Sequence, residues 1–280
     1  MKDKICIVTG ASSGIGKETA KALARNGARV VMVCRNEERG LLAKDEITAH
    51  SASGEVDLLL ADLSSLSQIR QLSATISDTY PHIDVLINNA GNIFIKKQLN
   101  EDGIEMTFAV NYLAPFYLSN LLLPKLHAAP QGRIIIVSSR NQSMGKIDLE
   151  NYDFRNRIYN GLQAYSNSKL MTVIFTKEMA KRLEGSKVTI NAVHPGDVVT
   201  NIGTRDNNWL FKLVWRTMCL FNIPAEEGAE TPVYLATAPE MANFSGHYFA
   251  NKKIANYNHL ADNQRIGEKL WDFTEMIIKR

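Results

Sequence analysis

Apolar residues along this chain follow two alternating rhythms. Short runs rich in valine, isoleucine and leucine occupy residues 4–9 (KICIVT), 29–34 (RVVMVC), 56–61 (VDLLLA), 83–87 (IDVLI), 133–137 (RIIIV) and 188–193 (VTINAV). Between them lie longer stretches with apolar positions every three or four residues: up to Asn26, then 36–50, 65–79, 103–126 and a long pattern around 165–183. The short runs predict buried strands and the longer ones helices, with Gly27 as a helix stop. Strands that are apolar on both faces and alternate with helices predict a parallel sheet covered on both sides, and right-handed crossovers make it doubly wound. Helices at 226–237 and 260–278 and a last strand at 246–250 complete the pattern. The prediction is an α/β protein with a mostly seven-stranded parallel sheet, in a single domain over residues 1–280. Neither a repeat nor a linker divides it.

Composition changes this picture little. Of 280 residues, 45% are hydrophobic and 22% charged, the ordinary mixture of a protein with a large core. A net charge of +3 without a basic cluster argues against nucleic acid as a partner. Cys6, Cys34 and Cys219 show neither pairing nor metal spacing, and no metal site is expected. Sparse cysteines suit a reducing compartment. A strand within a few residues of Met1 leaves no room for a signal peptide, and no apolar run reaches the length of a membrane span. The expected location is the cytoplasm.

Candidate chemistry enters after the first strand. Gly10-Ala11-Ser12-Ser13-Gly14-Ile15-Gly16 joins that strand to a helix, the arrangement that sets phosphates against free backbone N–H groups. Gly10 permits a tight turn, while Gly14 and Gly16 permit close backbone approach. A carboxylate at the end of the second strand would bind the ribose hydroxyls of NAD; here stand Cys34-Arg35, with Lys17 and Arg39 nearby. Cations there pair with a 2′-phosphate, which predicts NADP(H) over NAD(H). Farther along, Tyr165 and Lys169 lie four residues apart on one helical face. An ammonium beside a phenol stabilises the phenolate, so a lowered tyrosine pKa and an acid/base role are expected.

Further landmarks fall at strand ends and on a helix: Asn88-Asn89-Ala90-Gly91, Asn111, Ser138-Ser139 and His194-Pro195-Gly196. With residues 9–16 and 165–169 they resemble the short-chain dehydrogenase/reductase family over essentially the whole chain, implying a Rossmann-type fold. That resemblance implies catalytic roles for four residues. Tyr165 would be the acid/base, Lys169 its modulator and ribose ligand, Ser139 the substrate-oxygen donor and Asn111 the holder of a water leading to Lys169. It implies coenzyme contacts at Gly10, Ser12, Ser13, Gly14, Ile15, Gly16, Arg35, Asp62, Leu63, Asn89, Ala90, Gly91, Pro195, Gly196, Val198 and Thr200. Strand alternation lets only one of Ser138 and Ser139 face the substrate, and the resemblance favours Ser139.

Ser139 and Tyr165 are 26 residues apart, about twice the family's common spacing. The insert at residues 142–162, the VCRNEERG stretch and the C-terminal residues 246–271 resemble the retinol-dehydrogenase-like branch. That branch implies a lipophilic aldehyde, ketone or alcohol as substrate. Residues 209–223 (WLFKLVWRTMCLFNI) are densely apolar, and three readings stand open: a substrate lid at about 197–225, a packed helix or dimer interface, and a peripheral membrane contact. Two further functions are weighed: an acyl or steroid-type ketoreductase, and a coenzyme-sensing scaffold with little turnover. The family resemblance adds a homodimer or homotetramer.

Overall fold

Eight strands form one sheet in the order β3-β2-β1-β4-β5-β6-β7-β8; the structure, a computed structural model, describes residues 1–196 and 223–279. The strands are β1 (Ile5–Thr9), β2 (Arg29–Cys34), β3 (Val56–Leu60), β4 (Val85–Asn88), β5 (Gly132–Val137), β6 (Val188–His194), β7 (Tyr248–Ala250) and β8 (Lys253–Ile254). β1 to β7 run parallel; β7 and β8 pair antiparallel.

Alternate residues of each strand feed two separate cores, which is why the runs read as continuously apolar. Ile5 and Ile7 of β1 point into one core with Ile134 and Ile136 of β5. Cys6 and Val8 point into the other with Val30 and Met32. Helices α1 (Gly14–Arg25), α2 (Glu37–Ala49) and α6 (Ala225–Thr237) cover the second face. The first is covered by α3 (Leu66–Thr79), the helical run α4 (Met106–Ala128), α5 (Gly161–Arg182) and α7 (Gln264–Ile278). The winding reverses between β1 and β4, which opens a crevice at the carboxyl ends of those strands.

Three expectations need adjustment. The sheet gains an eighth strand: Asn251 (φ 50°) and Lys252 (φ 60°) make the two-residue turn of a hairpin that folds β8 back on β7. The helix expected from residue 103 starts at Met106, after a bridge between Leu99 and Glu105. Third, α4 has the length and composition to cross a membrane, although 72% of its most apolar window is buried. It is the core helix under the site. Within it, Ala109–Leu113 form a π turn in which the Ala114 N–H reaches back to the Ala109 carbonyl. Pro115 has no N–H to return to Asn111, so the α ladder has a gap there.

Candidate active site

The glycine loop is built by contacts between the ends of β1 and β4. Thr9 Oγ1 accepts the N–H groups of Asn89 (2.9 Å) and Ala90 (3.0 Å), and Asn89 Nδ2 donates to the Thr9 carbonyl (2.8 Å). Gly10 and Gly14 adopt left-handed φ values of 67° and 56°. A side-chain carbon on Gly16 would strike the Asn89 carboxamide and the Gly10 carbonyl. Gly10 and Gly14 thus supply the left-handed turn, and Gly16 the close approach. Ser13 does not cap α1 with its side chain, which leaves the first-turn N–H groups pointing into the crevice.

That crevice brings together twelve of the anticipated coenzyme contacts: Gly10, Ser12, Ser13, Gly14, Ile15, Gly16, Arg35, Asp62, Leu63, Asn89, Ala90 and Gly91. Asn36, Arg39, Asn92, Phe94 and Val110 line it too. Arg35 and Arg39 are exposed at its rim, and no ion pair joins either to a carboxylate among the described residues. Asn36 caps α2 through the Arg39 N–H (2.9 Å) and also accepts from Arg39 Nε (3.4 Å). Lys17 does not belong to this group. Its ammonium pairs with Glu46 at 2.7 Å and Glu18 at 3.8 Å, and it is not part of the lining. Asn89 lines the crevice, but its amide nitrogen is committed to the glycine loop. Burial pushes the Cys34 thiol up to about 11, so it stays protonated.

Beyond the crevice, β5 and α5 meet around Tyr165. Asn160 caps α5 by accepting from the Gln163 N–H (3.0 Å). Tyr165 and Lys169 then share one face, with Lys169 Nζ 5.7 Å from the phenol ring centroid. The ammonium donates to the Val137 carbonyl at 2.8 Å, and burial lowers its pKa to about 8. The expected drop in the Tyr165 pKa is not found. Burial raises it, and a hydrogen bond with Ser139 only partly offsets this. The two serines separate as strand alternation requires. Ser138 Oγ donates to the Lys169 carbonyl (3.0 Å) and accepts from Thr172 (3.0 Å), tying β5 to α5. Ser139 is the one that faces the phenol.

Asn111 sits in the π turn. Its carboxamide accepts from the Asn92 N–H (2.9 Å) and donates to the Asn92 carbonyl (2.9 Å) and Ser168 Oγ (3.1 Å). Gly91 leaves space beside it: a side-chain carbon there would lie 3.3 Å from Asn111 Oδ1 and 3.5 Å from Lys169 Nζ. Pro195 and Gly196 follow β6, with Gly196 at φ 93°. Val198, Thr200 and the apolar segment 209–222 lie outside the described residues. Thr9 as the clamp and Tyr159 were not anticipated from the sequence. Tyr159 had a signal in the aromatics of the insert.

The family model described as short chain dehydrogenase matches residues 4–153 and 155–210. The chain is 39% identical to "Retinol dehydrogenase 14" of Mus musculus, covering 99% of this chain and 86% of that protein. It is 40% identical to "Retinol dehydrogenase 13" of Homo sapiens, covering 96% and 82%. A solved structure of a protein from Mycobacterium paratuberculosis has a TM-score of 0.80 at 31% identity, covering 99% of this chain and 94% of that one. A short chain dehydrogenase from Burkholderia cenocepacia, solved in complex with NADP, has a TM-score of 0.69 at 25% identity, covering 89% and 96%.

Proposed function

Because this chain belongs to the short-chain dehydrogenase/reductase family, and is thus an oxidoreductase acting on CH–OH and C=O groups with a nicotinamide coenzyme, we propose that it is NADP(H)-dependent and acts on a lipophilic aldehyde, ketone or alcohol. The observation that carries the reading is the meeting of Tyr165, Ser139 and Lys169 at the end of the glycine-lined crevice. The crevice fits a dinucleotide: its loop excludes any side chain at Gly16, and two exposed guanidinium groups without a carboxylate partner among the described residues flank its rim. Gly10 to Gly16 would hold the pyrophosphate, Asp62 and Leu63 the adenine, and Arg35 with Arg39 a 2′-phosphate.

When bound, the nicotinamide coenzyme carries the hydride. The residues handle the oxygen. In reduction, negative charge grows on the carbonyl oxygen, and Ser139 donates a hydrogen bond to it while the Tyr165 phenol gives up its proton. Lys169, with its pKa near 8, would hold the nicotinamide ribose, and it supplies positive charge beside the phenolate that results. Asn111 holds the backbone at Asn92 and would hold a water leading from Lys169 to solvent. Pro195 and Gly196, with Val198 and Thr200 from the same stretch of sequence, would line the nicotinamide.

Retinol dehydrogenase relatives favour a retinoid-like substrate over the acyl or steroid alternative. Residues 197–225 as a lid, self-association as a dimer or tetramer, a peripheral membrane contact and a cytoplasmic location belong to the same proposal. Sizing, liposome co-sedimentation and cell fractionation read the last three. The central test is coenzyme oxidation against aldehydes of rising chain length and retinal, using NADPH and NADH, with Tyr165→Phe as control. NADPH-preferring turnover that disappears in the variant is expected. Turnover of none of them would favour the coenzyme-sensing scaffold, and equal use of NADH would remove the role given to Arg35 and Arg39.

A further inference from the structure

Tyr159 closes the insert that separates Ser139 from Tyr165, and its hydroxyl meets three groups at once. It donates to Glu105 Oε1 (2.9 Å) and lies within hydrogen-bond distance of the Phe94 carbonyl (3.1 Å) and Thr107 Oγ1 (3.0 Å). The one phenolic proton is shared between carboxylate and carbonyl, and the threonine hydroxyl can donate to the phenol oxygen in return. Glu105 is only 1% exposed, and no cation pairs with it among the described residues. Its charge is satisfied by the Thr107 and Phe108 N–H groups, both at 2.8 Å, and by Tyr159. A buried carboxylate held by neutral donors depends on each of them.

These contacts bear on the reacting groups through two short backbone paths. Phe94 lines the coenzyme crevice two residues after Asn92, whose N–H and carbonyl are both held by Asn111. The start of α5 presses on the same wall, since a side-chain carbon on Gly161 would strike the Phe94 carbonyl. On the second path, Glu105 caps the first turn of α4, and its carbonyl accepts from the Ala109 N–H (2.8 Å), the residue that opens the π turn of Asn111. The ring itself is held in place. Phe154 packs edge-on against Tyr159 at 5.2 Å, and the Arg157 guanidinium lies 4.4 Å over Phe154. Phe154 keeps a left-handed φ of 57° while buried, so the insert has a defined fold here.

We propose that Tyr159 is a positioning residue for the reaction: its hydroxyl, clasping Glu105 and the Phe94 carbonyl, fixes the crevice wall that aligns Asn111 with Lys169. This makes the insert part of the catalytic framework. The inference rests on the catalytic reading of Asn111 and Lys169 given above.

The test uses full-length Tyr159→Phe, with turnover normalised to the number of NADPH-binding sites. The expected result is about a tenfold fall in kcat per site, the size of effect set by one hydrogen bond to a charged group. Aldehyde KM should stay within about twofold, and the NADPH dissociation constant should rise about threefold. In an Asn111→Ala background the same substitution should lower kcat no further, because both act through one contact. Thr107→Val, which removes a donor to the phenol oxygen, should give a smaller loss of the same kind and serves if Tyr159→Phe folds poorly. An unchanged kcat per site with a lower Tm, or losses that multiply in the double variant, would overturn the proposal. If the wild type reduces no aldehyde, the reductase reading fails by itself. The clasp is then judged by NADPH affinity alone, and an unchanged dissociation constant in Tyr159→Phe overturns it.

Discussion

Lys169 shows what a single residue costs the fold that holds it. Its ammonium is buried and donates to the Val137 carbonyl, and its pKa falls from 10.5 to about 8. The unfolded chain therefore holds the proton more tightly between those values, and the ligand-free protein should gain stability as pH rises from about 8 to 10.5. Below that window the lysine is charged in both states and the full penalty, about 3 kcal/mol, remains. Lys169→Met should thus raise the Tm of the ligand-free protein by a few degrees, flatten its rise with pH and abolish turnover. Thermal scans across pH 7.5 to 10.5 read the first two effects, and a Tm that falls at every pH would contradict them. Ser139→Ala should lower kcat by about a hundredfold with little change in Tm, as for loss of one donor to a developing oxyanion. Ser138→Ala should instead loosen α5 from β5 and cost about 1–3 kcal/mol; comparing kcat per site with Tm for the pair separates them. The Tyr165–Lys169 pairing was legible because helical spacing is a local property. The direction of the phenol's shift was not, because burial sums groups from β5, α4 and α5 that spacing does not reveal.

At the scale of elements, the glycine loop was legible and the device that holds it was not. Gly10, Gly14 and Gly16 are marked by their spacing between a strand and a helix, whereas Thr9 reads in sequence as one more strand residue. Its hydroxyl oxygen accepts two N–H groups from the turn after β4, a partner 80 residues away. Thr9→Val keeps the shape and the strand preference but leaves both N–H groups without that acceptor. It should cost about 1–3 kcal/mol and weaken NADPH binding by about tenfold, measurable by Tm and by fluorescence titration. Loss of stability with unchanged affinity would mean that the loop keeps its form without the clamp. The π turn was hidden for a related reason: a helical pattern of apolar positions runs straight through residues 103–126. Pro115 was visible, but what it does to the ladder depends on where Asn111 must reach, and that is set by Asn92 on another element. The eighth strand escaped because a two-residue strand leaves no periodicity to read.

For the whole molecule, the reversal of winding between β1 and β4 puts the glycine loop, the end of β2 and the Asn89–Asn92 turn around one crevice. Strand order follows from short right-handed crossovers, so a doubly wound sheet could be anticipated; which cations turn toward the crevice could not. Lys17 and Arg35 read alike in sequence, yet Glu46 and Glu18 draw the lysine away on the α1 surface, while Arg35 and Arg39 stay at the rim. Discrimination for a 2′-phosphate by two exposed guanidinium groups is electrostatic and should be screened by salt, since the screening length shrinks from about 10 Å at 0.1 M to about 3 Å at 1 M. NADPH affinity should therefore weaken as salt rises, while NADH affinity changes little. In an Arg35→Ser/Arg39→Ser variant the two coenzymes should converge: NADPH binding falls by about a hundredfold, NADH binding holds within about threefold, and the salt slope for NADPH flattens. Lys17→Ser should leave the ratio of the two affinities unchanged, because its charge is neutralised by Glu18 on α1 and Glu46 on α2. A Lys17→Ser variant that lost NADPH preference while the double arginine variant kept it would reverse the assignment, and would mean that the salt bridges to Glu46 and Glu18 open when the coenzyme binds.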